Sequence, residues 1–210
     1  MIHEMLNDYQ LILASGSPRR KELFSLLGLK PLIIPADVPE PITAEQPHIQ
    51  AMKHAQNKAE HVMKQIIGAP SSVSSEIPKN KEILVVAADT LVAIDSLVLG
   101  KPKDDEEAKA FLRILAAKDH EVYTGICISL NDTVLCDYEC TRVSFASLSE
   151  SEIATYISTG EPFDKAGAYG IQGYGAQFIS KVEGCYFNVM GFPIRKFYDL
   201  LKLLLNGERL

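Results

Sequence analysis

The sequence predicts an α/β protein with a mixed, twisted β-sheet flanked by helices, and two observations lead to this prediction. In the first half of the chain, short apolar runs alternate with segments of helical periodicity, which is typical of parallel strands joined by helices. In the second half, two long strand-like segments, residues 122–130 and 133–145, are separated only by Asn131-Asp132, a pair typical of a hairpin turn. We expect a single domain over residues 1–210, long enough to bury a full core.

The chain opens with a predicted strand that leads directly into a helix. Residues 10–14 (QLILA) form the apolar run of the strand. The following SGSP supplies helix-capping residues and places Pro18 at the first helical position. The helix over residues 18–27 has leucines at helical spacing and ends at Gly28.

A second strand and a long helix follow. Residues 32–34 (LII) predict the strand, and residues 47–67 have the length and spacing of an amphipathic helix whose polar side includes Lys53 and Lys58. Residues 68–82 are rich in Ser, Pro and Gly and show no period. We interpret them as a surface insertion rather than a linker between domains.

The most apolar segment of the chain is interrupted by an acid. Residues 83–88 (ILVVAA) predict a central strand, and residues 91–94 (LVAI) resume the apolar run after Asp89-Thr90. Asp104 and the three acids that follow it then open a helix, where the helix dipole favours negative charge.

The last third of the chain mixes short helices, strands and glycines. A capping box formed by Ser149 and Glu152 begins a short helix. Strands are predicted near residues 177–182 and 186–190, and residues 193–204 predict a closing amphipathic helix.

Composition and charge exclude several classes of partner. Lys and Arg number 21 against 27 Asp and Glu, for a formal net charge of −6, and no basic cluster extends beyond residues 19–21. We therefore expect no nucleic acid polymer as partner, and no membrane, because no stretch approaches the roughly 20 apolar residues of a span. The acidic N-terminal segment does not resemble a signal peptide, so we expect a cytoplasmic protein. The four cysteines form no CxxC pair and are expected to be reduced and packed.

Three segments are candidates for chemistry, and the first is SGSPRR at residues 15–20. Small residues allow close approach of a ligand, the following helix offers free backbone N–H groups, and Arg19 and Arg20 supply forked donors. This combination suits a phosphate chain. The alternative is an ordinary helix cap with two solvated arginines.

The second candidate is Asp89 with Thr90. A carboxylate between two apolar runs either ends a strand at a cavity or is buried at a considerable cost in free energy unless it is paired. The alternative is a turn aspartate that caps the next element. Lys101 follows in Gly100-Lys101-Pro102, a turn that can direct an ammonium group at an anion.

The third candidate is GEPFDKAGAYGIQG at residues 160–173. Its glycines and alanines allow close approach of the backbone, and Gln172 offers an amide that can read a base edge. The five histidines are scattered and stand beside no nucleophile motif, so we expect none of them to be a catalytic base.

Together, these segments resemble the motifs of the Maf family of nucleoside triphosphate pyrophosphatases: SGSPRR, Ala88-Asp89-Thr90, Gly100-Lys101-Pro102, Tyr123-Thr124-Gly125 and GEPFDKAGAYGIQG. They follow the family's order across nearly the whole chain. The resemblance implies two lobes with a cleft between them, an architecture related to the inosine triphosphatase group, and a homodimer. It also implies hydrolysis of a nucleoside triphosphate to the monophosphate and pyrophosphate with a divalent metal, Mg²⁺ or alternatively Mn²⁺.

The resemblance also implies roles for individual residues. Asp89 resembles the proton acceptor, and Glu40 with Asp89 resembles the pair of acids that hold the metal. The residues that resemble contacts to the phosphate chain are Ser15, Arg20, Lys58 and Lys101, the two lysines acting in catalysis. The positions that resemble substrate selectors are Arg19, Thr90 and Gln172. The chain has no Trp, so it resembles the dTTP/UTP branch and not the branch for methylated GTP, which has Trp where Arg19 stands.

The chemistry of the reaction agrees with these roles. Breaking the bond between the α- and β-phosphates needs a positioned water, neutralised non-bridging oxygens and a stabilised leaving pyrophosphate. Asp89 either accepts the proton of the water or binds the metal, and the sequence leaves both roles open. We expect an enzyme that removes pyrimidine triphosphates from the nucleotide pool. The alternatives are a nucleotide-binding regulator of cell division or septum formation without essential catalysis, and hydrolysis of purine triphosphates.

Overall fold

The computed structural model describes residues 1–68, 78 and 80–206, which form a seven-stranded mixed sheet with helices on both faces. The strands are β1 (Tyr9–Leu13), β2 (Leu32–Ile33), β3 (Glu82–Ile94), β4 (Leu97–Leu99), β5 (Asp119–Leu130), β6 (Thr133–Phe145) and β7 (Ile179–Glu183). The helices are α1 (Ile2–Met5), α2 (Pro18–Leu26), α3 (Pro47–Gly68), α4 (Asp105–Leu115), α5 (Glu150–Ser158), α6 (Tyr186–Val189) and α7 (Ile194–Asn206). The predicted insertion, residues 68–82, falls mostly outside the described residues.

The direction of the strands changes at the centre of the sheet. The order is β2-β1-β3-β5-β6-β7, with β4 paired to β3. The pairs β2–β1 and β1–β3 are parallel, whereas β3–β5, β5–β6, β6–β7 and β3–β4 are antiparallel. This order confirms the predicted mixed sheet and the hairpin at Asn131-Asp132.

Alternate residues of β3 serve two different cores at one end of the sheet. Leu84 and Val86 pack with α2 and α7 on one face. Val85 and Ala87 pack against α3 on the other face. Because successive side chains of a strand point to opposite faces, the uninterrupted apolar run of β3 is what a strand buried on both sides requires.

A third core occupies the opposite ends of the long strands and forms a second lobe. It combines Val92 of β3, Val122 of β5 and Val143 of β6 with the apolar faces of α4 and α5. The long strands therefore run through both lobes. In the part of the chain that the model describes, no helix has the length and hydropathy needed to cross a membrane.

One predicted strand is wrong. Residues 186–190 were expected to be extended, but they contain the single helical turn α6, bracketed by Gly184 and Gly191, whose φ angles are +129° and +98°. The buried Asn188 at this turn donates hydrogen bonds to the Val122 carbonyl and to Thr141 Oγ1. Local apolar character predicted a strand, and these tertiary hydrogen bonds favour a turn instead.

The expectation of reduced cysteines is wrong for one pair. Cys127 of β5 and Cys136 of β6 stand directly opposite each other and are joined by a disulfide, with Cα atoms 4.1 Å apart. Cys140 and Cys185 are free thiols. The spacing of the cysteines along the chain does not indicate this pair. The register set by the two-residue hairpin loop places the two positions directly opposite each other.

Candidate active site

A cleft of about 350 Å³ lies between the two lobes, and its walls carry charged side chains from both. Those of the first lobe come from the start of α2, from the loop before α3, from α3 itself and from the middle of β3. Those of the second lobe come from the turn after β4 and from the glycine-rich loop. The charged side chains at the cleft are Arg19, Arg20, Glu40, Lys58, Asp89, Lys101 and Lys165.

Asp89 is the buried carboxylate at the centre of this cleft. It lies within the continuous strand β3 and is only 5% exposed. Its Oδ1 accepts a hydrogen bond from Lys58 Nζ at 2.6 Å, and its Oδ2 lies 3.0 Å from His54 Nδ1. Lys58 also contacts Glu40 Oε1 at 2.5 Å. The alternative of a turn aspartate is therefore wrong, and Lys58, predicted on the polar side of α3, is buried.

The surroundings of Asp89 keep it ionised. Burial raises the pKa of this carboxyl, but the hydrogen bond from His54 and the charge and hydrogen bond of Lys58 outweigh burial and lower the pKa to about 2. The hydrogen bond to Asp89 raises the pKa of His54 against the effect of its burial. His54 Nε2 also lies 3.2 Å from the Pro41 carbonyl. Both partners are acceptors, an arrangement that favours a proton on each ring nitrogen of His54.

Arg20 connects three parts of the chain next to Asp89. Its Nε donates to the Gly191 carbonyl at 2.7 Å, its Nη1 to Ser15 Oγ at 3.0 Å and its Nη2 to Thr90 Oγ1 at 3.1 Å. The planar fork of the guanidinium is suited to three acceptors in fixed directions. The alternative of a solvated arginine is therefore wrong for Arg20, which is buried.

We expect Arg20→Lys to destabilise the protein and to weaken substrate binding. One ammonium group cannot reach all three acceptors, and each buried polar group left without a partner costs about 1–3 kcal/mol. The expected loss is about 3 kcal/mol in the free energy of unfolding, measured in urea, together with a higher KM. Arg142→Lys, at an exposed arginine, is the matched control, and equal unfolding curves for the two variants would contradict this role of Arg20.

Arg19 joins the two lobes across the cleft. Its Nη1 contacts Asp164 Oδ2 at 2.8 Å, and its Nη2 donates to the Asp164 carbonyl at 3.2 Å. Lys165 Nζ contacts Asp164 Oδ1 and the Glu161 carbonyl, both at 2.7 Å. The two cations therefore share one carboxylate, and a bound polyanion can compete with Asp164 for both of them.

The glycine-rich loop is organised by one carboxylate. Glu161 accepts hydrogen bonds from Tyr156 Oη at 3.0 Å and from the backbone N–H groups of Tyr174 at 2.8 Å and Gly175 at 3.0 Å. Farther along the loop, Tyr169 lines the cleft, and its hydroxyl lies 2.7 Å from His120 Nε2. Burial lowers the pKa of His120 to about 4, so the loop packs against a neutral imidazole.

The structure brings most of the predicted site residues together. Those that line the cleft are Arg19, Arg20, Glu40, Lys58, Asp89, Thr90 and Lys101. Ser15 is buried behind the cleft and reaches it through its hydrogen bond with Arg20. Gln172 is half-buried and is not among the lining residues, although its neighbour Ile171 is. Gln172 is therefore next in sequence to a residue of the cleft wall but does not form part of that wall itself.

Sequence reasoning missed two polar residues of the site. His54 precedes Lys58 by one helical turn, and a shared helix face at this spacing was the available signal. Lys165 lies inside the glycine-rich motif, but nothing in the motif distinguished it from a solvated lysine. The expectation that no histidine acts as a base stays a prediction, and His54 contacts the central carboxylate as a donor.

The donor set of the cleft fits a hard divalent cation that arrives with a phosphate chain. Within residues 1–68, 78 and 80–206, no group of three or more His, Cys, Asp or Glu could hold a metal by itself. Glu40 and Asp89 are two carboxylates that contact the same ammonium group. Mg²⁺ is commonly held by one or two carboxylates plus substrate phosphates, and these two acids meet that requirement.

An α/β fold of two lobes, with cations from both lobes around an ionised carboxylate, defines a class of proteins that bind polyphosphates in a cleft. Within this class the chain belongs to the Maf family, whose model, described as "Maf-like protein", matches residues 10–204.

Named relatives match the chain over nearly its full length. The dTTP/UTP pyrophosphatase of Agathobacter rectalis is 43% identical over 200 residues, covering 93% of this chain and 97% of the relative. That of Caldicellulosiruptor saccharolyticus is 43% identical and covers 93% and 94%. That of Bacillus cereus is 42% identical and covers 92% and 94%. The solved Ham1 protein of Staphylococcus aureus is 15% identical over 95% of this chain and 99% of that chain, with a TM-score of 0.43, a similarity too slight to add to the family assignment.

Proposed function

We propose that the protein is a nucleoside triphosphate pyrophosphatase that hydrolyses dTTP, UTP and modified pyrimidine triphosphates to the monophosphate and pyrophosphate. The observation that carries the proposal is the ionised Asp89, buried in a cleft whose walls supply cations from both lobes. The relatives that cover this chain bear the name of this activity. Removal of such nucleotides from the pool is the role we assign to the reaction.

The charge balance of the cleft supports a polyanionic substrate. Next to Asp89 and Glu40 stand Lys58 and Arg20, and the hydrogen bond to Asp89 raises the pKa of His54, which favours a third positive charge there. Arg19, Lys101 and Lys165 add positive charge toward the second lobe, against Asp164. A cleft of this sign concentrates phosphate chains even though the whole protein is acidic.

We assign Asp89 to the attacking water. Its pKa of about 2 keeps it ionised at neutral pH, so it can accept a hydrogen bond from water and orient it toward the α-phosphorus. Both of its oxygens are already engaged, by Lys58 and His54. A phosphate chain that draws Lys58 toward itself frees Oδ1, which then becomes a stronger proton acceptor.

The remaining cations act on the phosphate chain. Lys58, Lys101, Arg19 and Arg20 neutralise non-bridging oxygens and stabilise the leaving pyrophosphate. Mg²⁺, with Mn²⁺ as alternative, would be held by Glu40 and Asp89 and would add charge neutralisation on the phosphates. Ser15 acts through Arg20, whose Nη1 it fixes.

The test is pyrophosphate release by the purified protein with Mg²⁺ against dTTP, UTP, CTP, GTP and methylated GTP. We expect dTTP and UTP to be preferred and the activity to be lost in EDTA. Tight binding of nucleotide without turnover would favour the alternative of a regulator of cell division or septum formation. Preference for GTP would support the proposed reaction but would make purine triphosphates, rather than pyrimidine triphosphates, the substrates.

We expect Gln172→Ala to change the preference between bases. Without the amide of Gln172, a pyrimidine base loses a hydrogen bond worth about 1 kcal/mol. This loss corresponds to about a fivefold change in the ratio of kcat/KM for UTP to that for GTP. Gln177→Ala, at an exposed glutamine of the same segment, is the matched control. If the two variants share the wild-type ratio, Gln172 does not select the base.

Two further features stay predictions. We propose a homodimer, which sedimentation of the purified protein tests.

We also propose a cytoplasmic location, where the nucleotide pool lies. The Cys127–Cys136 disulfide is a bond that most cytoplasms keep reduced, so the free thiols of protein extracted under an alkylating agent should be counted.

A further inference from the structure

His54 is tied to two separate parts of the candidate active site. It lies on α3 one turn before Lys58, and both side chains are buried. Its Nδ1 lies 3.0 Å from Asp89 Oδ2 on β3. Its Nε2 lies 3.2 Å from the carbonyl of Pro41, the residue that follows Glu40 in the loop before α3.

We propose that His54 is a positioning residue, which holds the Asp89 carboxylate and the Glu40-Pro41 loop in a fixed relation to each other. This inference rests on the proposed function, because it concerns the orientation of the carboxylate to which we assign the attacking water. His54 itself does not touch the substrate.

The geometry explains why Lys58 alone does not suffice. A carboxylate that accepts from a single donor rotates about its terminal torsion, whose energy minima are broad. Lys58 carries a point charge on a flexible stem, and it contacts only Oδ1 of Asp89. The rigid imidazole donates to the other oxygen, so the two donors together define the plane of the carboxylate.

The second ring nitrogen of His54 restrains the loop that carries Glu40. Lys58 joins the carboxylates of Asp89 and Glu40 by charge, and His54 joins Asp89 to the backbone beside Glu40. One face of α3 therefore sets the distance between the two acids through two side chains. A misplacement of about 1 Å at reacting groups is enough to lower a rate about 100-fold.

Two neutral replacements separate the two hydrogen bonds. In His54→Asn the side-chain amide nitrogen stands near the former Nδ1 and can still donate to Asp89. In His54→Gln the longer side chain carries its amide nitrogen toward the former Nε2 and Pro41. Both replacements are neutral and each keeps one of the two donors, so the comparison shows which of the two hydrogen bonds contributes more to the rate.

The experiment measures kcat and KM for dTTP in both variants, in wild type and in His61→Asn, a control at an exposed histidine of the same helix. We expect His54→Gln, which loses the donor to Asp89, to lower kcat about 10- to 100-fold with KM within about threefold, and His54→Asn, which keeps that donor but releases the Pro41 carbonyl, to lower kcat by a smaller factor. His61→Asn should match wild type. If His54→Gln does not fold, His54→Leu, which fills the space without donors, should show the same loss of kcat.

The outcomes distinguish this inference from the function on which it rests. Absence of turnover in wild type overturns the proposed function, and the inference with it. An active wild type whose kcat is matched within about threefold by both His54→Asn and His54→Gln overturns the inference alone. A purely structural histidine would give that result, because it would lower the melting temperature of both variants without lowering their kcat values.

Discussion

Replacing Asp89 with asparagine is expected to lower the turnover of dTTP and UTP at least about 100-fold, the range that removal of a general base commonly costs. Asparagine keeps the shape of the side chain but has no negative charge and a far weaker acceptor. The water that attacks the α-phosphorus then loses its orienting partner. KM is expected to change less than kcat, because the cations that hold the phosphate chain remain.

The same change is expected to lower stability, because Asp89 is the counterion of buried cations. Lys58 and His54 both contact its carboxylate, and removing one partner of a buried pair costs about 3–5 kcal/mol. Lys58 keeps Glu40 as a second partner, and His54 can release its proton. We therefore expect a folded variant with a loss near the lower end of that range.

The pH dependence of this loss has a definite sign. The pKa of Asp89 falls from its ordinary value of 3.8 to about 2 in the folded protein. A lowered pKa stabilises the fold above the ordinary value, and that stabilisation disappears as the pH falls toward 2. Wild type and Asp89→Asn should therefore differ most at neutral pH, differ less at pH 3 and converge below about pH 2.

Two measurements check both effects of the Asp89 change. Pyrophosphate release is assayed with Asp8→Asn as the control, since Asp8 is exposed, and urea unfolding is followed at pH 7 and pH 3. If Asp89→Asn keeps more than about a tenth of the wild-type rate, Asp89 is not the residue that accepts a hydrogen bond from the attacking water. An unchanged unfolding curve at pH 7 would contradict its role as buried counterion.

Much of the fold was predictable because its signals are local. The apolar runs of β1 and β3, the Pro18 start of α2 and the hairpin between β5 and β6 each appear within a short window of sequence. Asp89 stood out because an acid within an apolar run needs a partner. Motif resemblance then supplied Glu40, which no local pattern identifies, and a role for Lys101, which its Gly-Lys-Pro turn had only suggested.

The rest of the site depends on contacts between distant parts of the chain. His54 and Asp89 are 35 residues apart, and Arg19 and Asp164 are 145 apart. No periodicity within a helix shows which of its polar residues will face a strand from elsewhere. The burial of Lys58 could not be predicted for this reason, since a lysine on an amphipathic helix ordinarily faces solvent.

Substituting alanine at Gly125 is expected to be among the most destabilising small changes in this protein. Gly125 lies on β5 directly opposite Asp89. A Cβ at this position would overlap the backbone of Ala51 and Met52 on α3. Backbone cannot move aside as the end of a flexible side chain can, so the whole helix must shift, and we expect a loss of about 3 kcal/mol, the upper end for overpacked cores.

A shift of α3 also reaches the chemistry. His54 and Lys58 lie on this helix within two turns of Ala51, and both hold the Asp89 carboxylate. We therefore expect Gly125→Ala to lower kcat even at temperatures where the variant remains folded. The glycine of the Tyr123-Thr124-Gly125 segment thus serves the site by allowing close packing, with no side chain of its own.

Thermal unfolding and pyrophosphate release, both compared with Gly68→Ala, test this expectation. Gly68 ends the same helix, and among the described residues an added Cβ there would meet no atom within 4 Å beyond its own helix, so its replacement should alter stability by less than about 1 kcal/mol. If Gly125→Ala unfolds at the wild-type temperature, α3 does not pack as tightly as the overlap requires. If Gly125→Ala is destabilised but keeps the wild-type kcat, the helix yields to the added methyl group without moving His54 or Lys58, and the link between this contact and catalysis is wrong.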